Sequence, residues 1–301
     1  SRFVQMNLEG YEPGAPAAVT PEDAWMLSRL ARAVARATEQ LETYAFGDYA
    51  RETQSFFWGD VCDWYIELCK GRLLDGSAEE KLQVQRNLVF VLDTCMRLLH
   101  PAMPFVTESV WDALPASGLD AHDAQFLMVA AWPEPERYAG FVNDAAERDF
   151  ELAKRVISCV RSTRARYRLS PRAELDVVVR CGAEDAAVLA GQEGFVRSVG
   201  HVGSFAAGAD AEKPAGSVSV ADGSLEIFVC VGDLVDLAAE SARLAKELAK
   251  AEKDLAGVER TLANEGFVAK AAPEVVEKKR AQAAELAATI EQLKAQIADF
   301  A

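Results

Sequence analysis

Residues 154–172, KRVISCVRSTRARYRLSPR, hold Lys154, Arg155, Arg161, Arg164, Arg166, Arg168 and Arg172 within about five helical turns. A guanidinium is planar, permanently charged and forked, so a row of them suits phosphate oxygens. The same row also fits a solvated helix face lying opposite carboxylates, and the residues alone leave both readings open. A second basic group comprises Arg260, Lys270, Lys278, Lys279 and Arg280. It brackets the stretch from Leu262 to Arg280, LANEGFVAKAAPEVVEKKR, where an otherwise strict helical period breaks. Phe267 and Val268 in that break fit a staple that holds the turn to itself; base stacking by Phe267 is the other reading.

Reaction chemistry is not legible in the chain. It has no Gly-rich phosphate loop, no H-E-x-x-H and no G-x-S-x-G elbow. His100, His122 and His201 stand apart, and His100 precedes Pro101 at a helix end, a structural position. The 6 cysteines are scattered, without C-x-x-C pairs or a His at ligand spacing. They read as free thiols of a reducing cytoplasm, with no metal site expected. The formal net charge of -15 argues against indiscriminate binding to nucleic acid or anionic membranes. It leaves room for a local basic face, because phosphates respond to nearby charge. No apolar run reaches membrane-spanning length, and no signal peptide is recognisable. The sequence opens at Ser1-Arg2-Phe3, without Met and inside helical pattern, so a piece of a longer protein is expected.

The elements that would position these groups change period twice. Residues 1–140 read as a helical bundle. In TPEDAWMLSRLARAVARATEQLETY, Thr20 is the expected N-cap and Pro21 the first helical residue. The aromatic-rich FGDYARETQSFFWGDVCDWYIELCKGRLL predicts one deeply packed helix. A long helix ending at His100-Pro101 and another starting after Pro104 complete the bundle. Residues 141–233 predict a small α+β domain. A helix stops at Ser170-Pro171, and short strands follow in ELDVVVRC, VGSFAAG, GSVSVADG and LEIFVCV, the last two joined by a tight turn at Asp222-Gly223. The segment FAAGADAEKPAGSVS reads as a surface loop. From residue 234 to 301 the apolar period becomes a heptad. It runs through Leu237, Ser241, Leu244, Leu248, Ala251, Leu255, Val258 and Leu262, then Val276, Lys279, Ala283, Leu286, Ile290, Leu293, Ile297 and Phe300. Asn264, Gly266 and Pro273 mark the break between two matched helices, which predicts an antiparallel coiled-coil hairpin roughly 40 Å long. The fold class expected is therefore mainly α: a bundle, a small α+β domain and a coiled-coil arm.

GDVCDWYIELCK (Gly59 to Lys70) and RLLHPAMPFVTESVWDAL (Arg97 to Leu114) resemble the helical anticodon-binding domain of class I aminoacyl-tRNA synthetases of the Val/Ile/Leu/Met group. SRFVQMNLEGY resembles that domain's first helix. GDLVDLAAESARLAKELAKAEKDL with LANEGFVAKAAPEVVEKKRAQ resembles the C-terminal arm of bacterial valyl-tRNA synthetases. The resemblance implies that the whole enzyme charges tRNA(Val) with valine, using ATP and Mg in a catalytic domain that this sequence lacks, and edits mischarged threonine in another. It implies a bundle that reads the anticodon region and an arm that presses the outer corner of the tRNA. It also implies a cytoplasmic monomer with no membrane partner, no cofactor in this chain and no activity of this chain alone. By the same resemblance, Arg2, Phe3 and Asn7 are tRNA-binding candidates in the bundle. Arg161, Arg164 and Arg168 are candidates on the linking helix, and Arg260, Lys270, Lys278, Arg280 and Gln282 on the arm. Trp25, Trp64 and Trp111 match family aromatics but fall on apolar faces, where packing is expected. The alternatives weighed are a protein-interaction module, which would want apolar residues on the outside of the arm, and an independent enzyme, which would want a catalytic constellation.

Overall fold

The computed structural model describes residues 1–118, 124–232, 234, 237–263 and 273–298. The chain divides into two compact units, Ser1–Ala153 and Lys154–Ala301. The described structure is mainly α-helical, with one small sheet.

In the first unit, helix boundaries follow local chemistry. Thr20 accepts the Asp23 N–H at 3.3 Å, and Pro21 opens α2 (Pro21–Glu42). Ser77 and Glu80 form a reciprocal capping box at the start of α5 (Ala78–Leu99). The S-x-x-E spacing of that box is itself a sequence signal. After Leu99 the chain turns, α6 (Pro104–Asp112) starts on Pro104, and the short α7 (Pro135–Tyr138) starts on Pro135. The short α1 (Arg2–Met6) is followed by Gly10 at φ +74. An irregular stretch then lies along α5. Gln85 donates to the Asn7 and Glu9 carbonyls, Arg86 to that of Glu12 and Gln83 to that of Ala15, while Asn87 bonds both the N–H and the C=O of Ala17. Buried Gln85 and Asn87 are thus paid for by main-chain groups that would otherwise lack partners.

The aromatic-rich stretch is not one regular helix. Between α3 (Phe46–Ser55) and α4 (Ile66–Asp75), residues Phe56–Tyr65 form a π-helix. Its buried residues are Phe56, Asp60, Val61, Trp64 and Tyr65, the last four falling as two adjacent pairs four residues apart. Trp58 is left 46% exposed. The core of the unit is aromatic. Trp25 stacks on Phe150 with ring centroids 3.8 Å apart, and Trp64 meets the same ring edge-on at 6.3 Å. Trp25, Trp64 and Trp111 are all buried, as packing residues should be.

Helix α8 (Asp144–Arg166) contributes Glu147 and Phe150 to the first unit and its later turns to the second. In the second unit the strands β1 (Leu175–Arg180), β2 (Val202–Gly208), β3 (Ser217–Asp222) and β4 (Leu225–Cys230) lie in the order β2-β1-β4-β3. β1 and β2 are parallel, and β4 is antiparallel to both β1 and β3. The parallel pair needs a crossover, supplied by α9 (Ala183–Gly191) and α10 (Glu193–Gly200). Sequence patterning placed no element in that interval. The surface loop is shorter than FAAGADAEKPAGSVS, because Phe205–Gly208 belong to β2 and Ser217 starts β3. Gly223, in the β3–β4 turn, has φ +59, and a Cβ there would lie 2.8 Å from Arg155 Nη2. The turn therefore favours glycine for its conformation, and a Cβ there would also push the Arg155 guanidinium aside.

The heptad region forms two 26-residue helices, α11 (Leu237–Leu262) and α12 (Pro273–Ala298). Leu244, Ala251, Ile290 and Leu293 form the buried seam, with Leu248, Leu255 and Ile297 packed against it. Early residues of α11 thus meet late residues of α12, which is the antiparallel arrangement. Every heptad position whose side chain is described, Lys279 included, is buried or half-buried. Asn264, Gly266, Phe267, Val268, Lys270 and Phe300 lie outside the described residues. No described helix is long and apolar enough to cross a membrane.

Candidate nucleic-acid interface

On α1, Arg2 is exposed, Phe3 is half-buried, and Val4 is the one residue turned fully inward. Asn7 Nδ2 donates to the Phe3 carbonyl at 2.7 Å, closing the helix end, while the Asn7 carbonyl takes the bond from Gln85. The amide of Asn7 is therefore partly committed to the fold. The exposed edge of α1 is made by Arg2, Gln5 and Met6.

The basic helix separates into structural and surface arginines. Arg155 Nε lies 2.8 Å from Asp222 Oδ2, and its Nη2 donates to the Asp222 carbonyl. The hydrogen bond from Arg155 lowers the Asp222 pKa. Arg155 thus pins the β3–β4 turn to α8. Arg164 is only 8% exposed. Its Nη1 donates to the carbonyls of Ser170 and Ala173 at 3.0 and 2.5 Å, and its Nη2 to those of Gly200 and His201 at 3.1 and 3.4 Å. Gly200 and His201 end α10, where unpaired carbonyls carry partial negative charge. Burial pushes the Arg164 guanidinium below its ordinary pKa. Arg164 therefore closes a helix end and a loop, and its expected role toward phosphate is corrected to this internal one. The physical reason is its face: it points with Val160 and Thr163 into the packed side of α8.

Arg161, Arg166, Arg168 and Arg172 are exposed. Arg168 has φ +52, just past the end of α8, with Leu169 N–H bonded to the Arg164 carbonyl at 3.0 Å. This is a left-handed helix terminus, a position that favours glycine. A charged side chain there is held at a conformational cost of about 1 kcal/mol.

On the arm, Arg260 is exposed in the last turn of α11. Lys278, Arg280 and Gln282 are exposed on α12. Arg280 Nη1 lies 3.4 Å from Glu277 Oε2, and Gln282 Oε1 accepts from Lys279 Nζ at 3.0 Å. An exposed ion pair of this kind is worth little and leaves the guanidinium accessible. Lys270 lies outside the described residues. Sequence reasoning passed over a further row of exposed cations on α11, Arg243, Lys246, Lys250 and Lys253, although their spacing by three and four residues was available.

Among the described residues no group of His, Cys, Asp or Glu is arranged to hold a metal ion. None of the six cysteines is in a disulfide; burial raises the pKa of Cys69 to about 12. His100 Nδ1 lies 2.8 Å from Thr107 Oγ1, bridging the turn between α5 and α6. What the surface offers is a helical scaffold with separate sets of exposed cations. That arrangement suits a polyanion held along its backbone.

Residues 23–179 match the family model described as the anticodon-binding domain of tRNA ligase. The chain belongs to that family. Residues 236–301 match a second model, the valyl tRNA synthetase tRNA binding arm. Among curated relatives, the chain is similar to proteins named valine–tRNA ligase. That of Geobacter sulfurreducens is 37% identical over 95% of this chain and 32% of the relative. The one from Lactiplantibacillus plantarum is 37% identical over 100% of this chain and 33% of the relative. A third, from Thermotoga maritima, is 35% identical over 93% and 30% respectively. The chain spans about a third of the length of these relatives and matches their C-terminal part.

Proposed function

We propose that this chain is the tRNA-handling part of a valine–tRNA ligase, working in three segments. Residues 1–140 engage the anticodon region, residues 141–233 link, and residues 234–301 form an arm against the outer corner of the tRNA. The observation that carries this reading is the tandem of two matches, an anticodon-binding domain over 23–179 and a tRNA binding arm over 236–301. The shape supports it: a packed bundle can present splayed bases to fixed side chains, while a two-stranded coiled coil has little surface except its flanks and tip. In the whole enzyme, valine, ATP and tRNA(Val) would give valyl-tRNA(Val). ATP and Mg would act in a domain whose motifs this sequence lacks. A cytoplasmic monomer with no membrane partner completes the reading. The candidate contacts are Arg2 and Phe3 on α1, Arg161 and Arg168 at α8, and Arg260, Lys278, Arg280 and Gln282 on the arm.

The test is binding of this chain to a tRNA(Val) transcript and to a non-cognate tRNA across a salt series. The expected result is tighter binding of tRNA(Val), weakening for both RNAs as salt rises, and no charging of either RNA by this chain alone. Equal affinity for the two RNAs at every salt concentration would remove the anticodon role.

A further inference from the structure

We propose that the outward face of α11 is a phosphate track, a binding surface for the tRNA backbone along the length of the arm in addition to the contacts near its tip. This rests on the reading of the arm as a tRNA-binding element. The seam residues Leu244, Leu248, Ala251, Leu255 and Val258 fix the phase of the helix. With that phase, Arg243, Lys246, Lys250, Lys253 and Arg260 fall on the two heptad positions farthest from α12. All five are exposed. They follow one another at intervals of three, four, three and seven residues, in one stripe about 26 Å long. Gly257 fills the one vacant place in it. Among the acids of α11 whose side chains are described, Glu247, Glu252, Asp254 and Glu259 sit at the positions flanking the seam instead.

Three further observations point to a ligand rather than a solvated face. Lys246, Lys250, Lys253 and Arg260 make no ion pair among the described residues; only Arg243 is bridged, to Glu247 at 2.5 Å. Like charges three and four residues apart destabilise a helix, so the stripe runs against the arm's own stability. The equivalent outward places on α12 hold Lys278, Ala281, Glu285 and Ala288, which make no such row. In a chain of net charge -15, one helix thus concentrates unpaired cations on one side. Evenly spaced single charges on flexible stems suit a phosphate backbone, which carries charge at regular intervals and no sequence information.

The experiment compares the chain with Lys246→Glu/Lys250→Glu/Lys253→Glu, with Gly257→Lys, and with Lys278→Ala/Arg280→Ala. The readouts are circular dichroism and binding to transcripts of tRNA(Val) and a non-cognate tRNA from low to high salt. Glu is as good a helix former as Lys, so the triple variant should keep its helical signal. Expected is a loss of about tenfold or more at low salt for both RNAs, with the slope of log affinity against log salt reduced by about 2 to 3. Gly257→Lys should bind both RNAs more tightly and steepen the slope by about one contact. If reversal and Gly257→Lys leave affinity and slope unchanged while Lys278→Ala/Arg280→Ala weakens binding, the track is overturned and the arm's tRNA-binding role stands. If the unaltered chain binds neither RNA, both fall together.

Discussion

Asp23 and Arg72 meet through two parallel bonds, Nη1 to Oδ2 at 2.7 Å and Nη2 to Oδ1 at 2.8 Å, with the Asp23 side chain fully buried between α2 and α4. Tyr65 adds a third bond to Oδ1 at 2.8 Å. Burial alone would lower the Arg72 pKa, but the bonds and charge of Asp23 hold it well above its ordinary value. The pair fixes how the π-helix and α4 seat on α2. Arg72→Met would leave a buried carboxylate without its cation, at a cost of about 3–5 kcal/mol in urea unfolding. Asp23→Leu/Arg72→Met should recover most of that loss. If the double variant is as unstable as the single one, the pair is not the source of the effect.

Arg155 and Asp222 give the sheet unit an acid sensitivity. The Asp222 pKa is lowered, so the native state binds fewer protons at this carboxylate than the unfolded chain does. Its contribution to stability is then full above the unfolded value, about 3.9, and disappears as pH falls through the folded value. Glu147, held by Ser28 and Arg32 against the opposing effect of burial, follows the same sign in the bundle. Arg155→Ala should flatten the fall in stability of the sheet unit below about pH 4, with little change in the bundle. Hydrogen exchange of β3 and β4 amides against pH reads this directly.

Two left-handed positions make opposite predictions. At Gly223, alanine must adopt φ +59 and approach Arg155, so Gly223→Ala should cost about 1–2 kcal/mol. At Arg168, φ +52 is already borne by a side chain, so Arg168→Gly should stabilise the end of α8 by about 1 kcal/mol. If Arg168 also meets phosphate, its variant gains stability and loses tRNA affinity together. A merely structural residue would not separate the two readouts in that way.

The heptad was the most legible part of the chain because its period reports burial directly: Leu244 to Leu262 and Val276 to Ile297 sit where the pattern places them. Thr20, Pro21 and Asp222-Gly223 were legible because caps and turns depend on local chemistry. The π-helix was not, since the spacing of its buried residues, Phe56, Asp60, Val61, Trp64 and Tyr65, also fits an α-helix until the bonds are seen. The helices α9 and α10 were short and bounded by glycine, too brief for a period to emerge. At the candidate site, composition revealed the basic helix but not its division. Whether an arginine meets carbonyls, as Arg164 does, or solvent, as Arg166 does, depends on which face is covered, and two of the Arg164 partners, Gly200 and His201, lie 36 and 37 residues further along the chain.

Exposure separates two phenylalanines of the first unit. Phe105, at the start of α6, is 91% exposed, whereas Phe150 is fully buried between Trp25 and Trp64. Phe105→Ser should leave unfolding free energy within about 0.5 kcal/mol. Phe150→Ala opens a cavity among aromatic rings and should cost about 3–5 kcal/mol. A loss above 2 kcal/mol for Phe105→Ser would place that ring in a contact the chain does not show.

Lys279 occupies a seam position of α12, half-buried, with its ammonium turned aside to Gln282. Its stem covers apolar surface while its charge stays wet. A leucine there extends the seam without a buried charge, so Lys279→Leu should stabilise the arm by about 1 kcal/mol. Because its ammonium is not on the outward face of either helix, tRNA affinity should hardly change. Lys278→Ala, one residue earlier and exposed, should do the reverse: affinity falls and the arm's melting temperature stays put. Thermal melts of the helical signal, paired with tRNA binding at one fixed salt concentration, distinguish the two residues. If Lys279→Leu weakens binding as much as Lys278→Ala does, the RNA reaches the edge of the seam, and the contact surface wraps further around α12 than its exposed charges indicate.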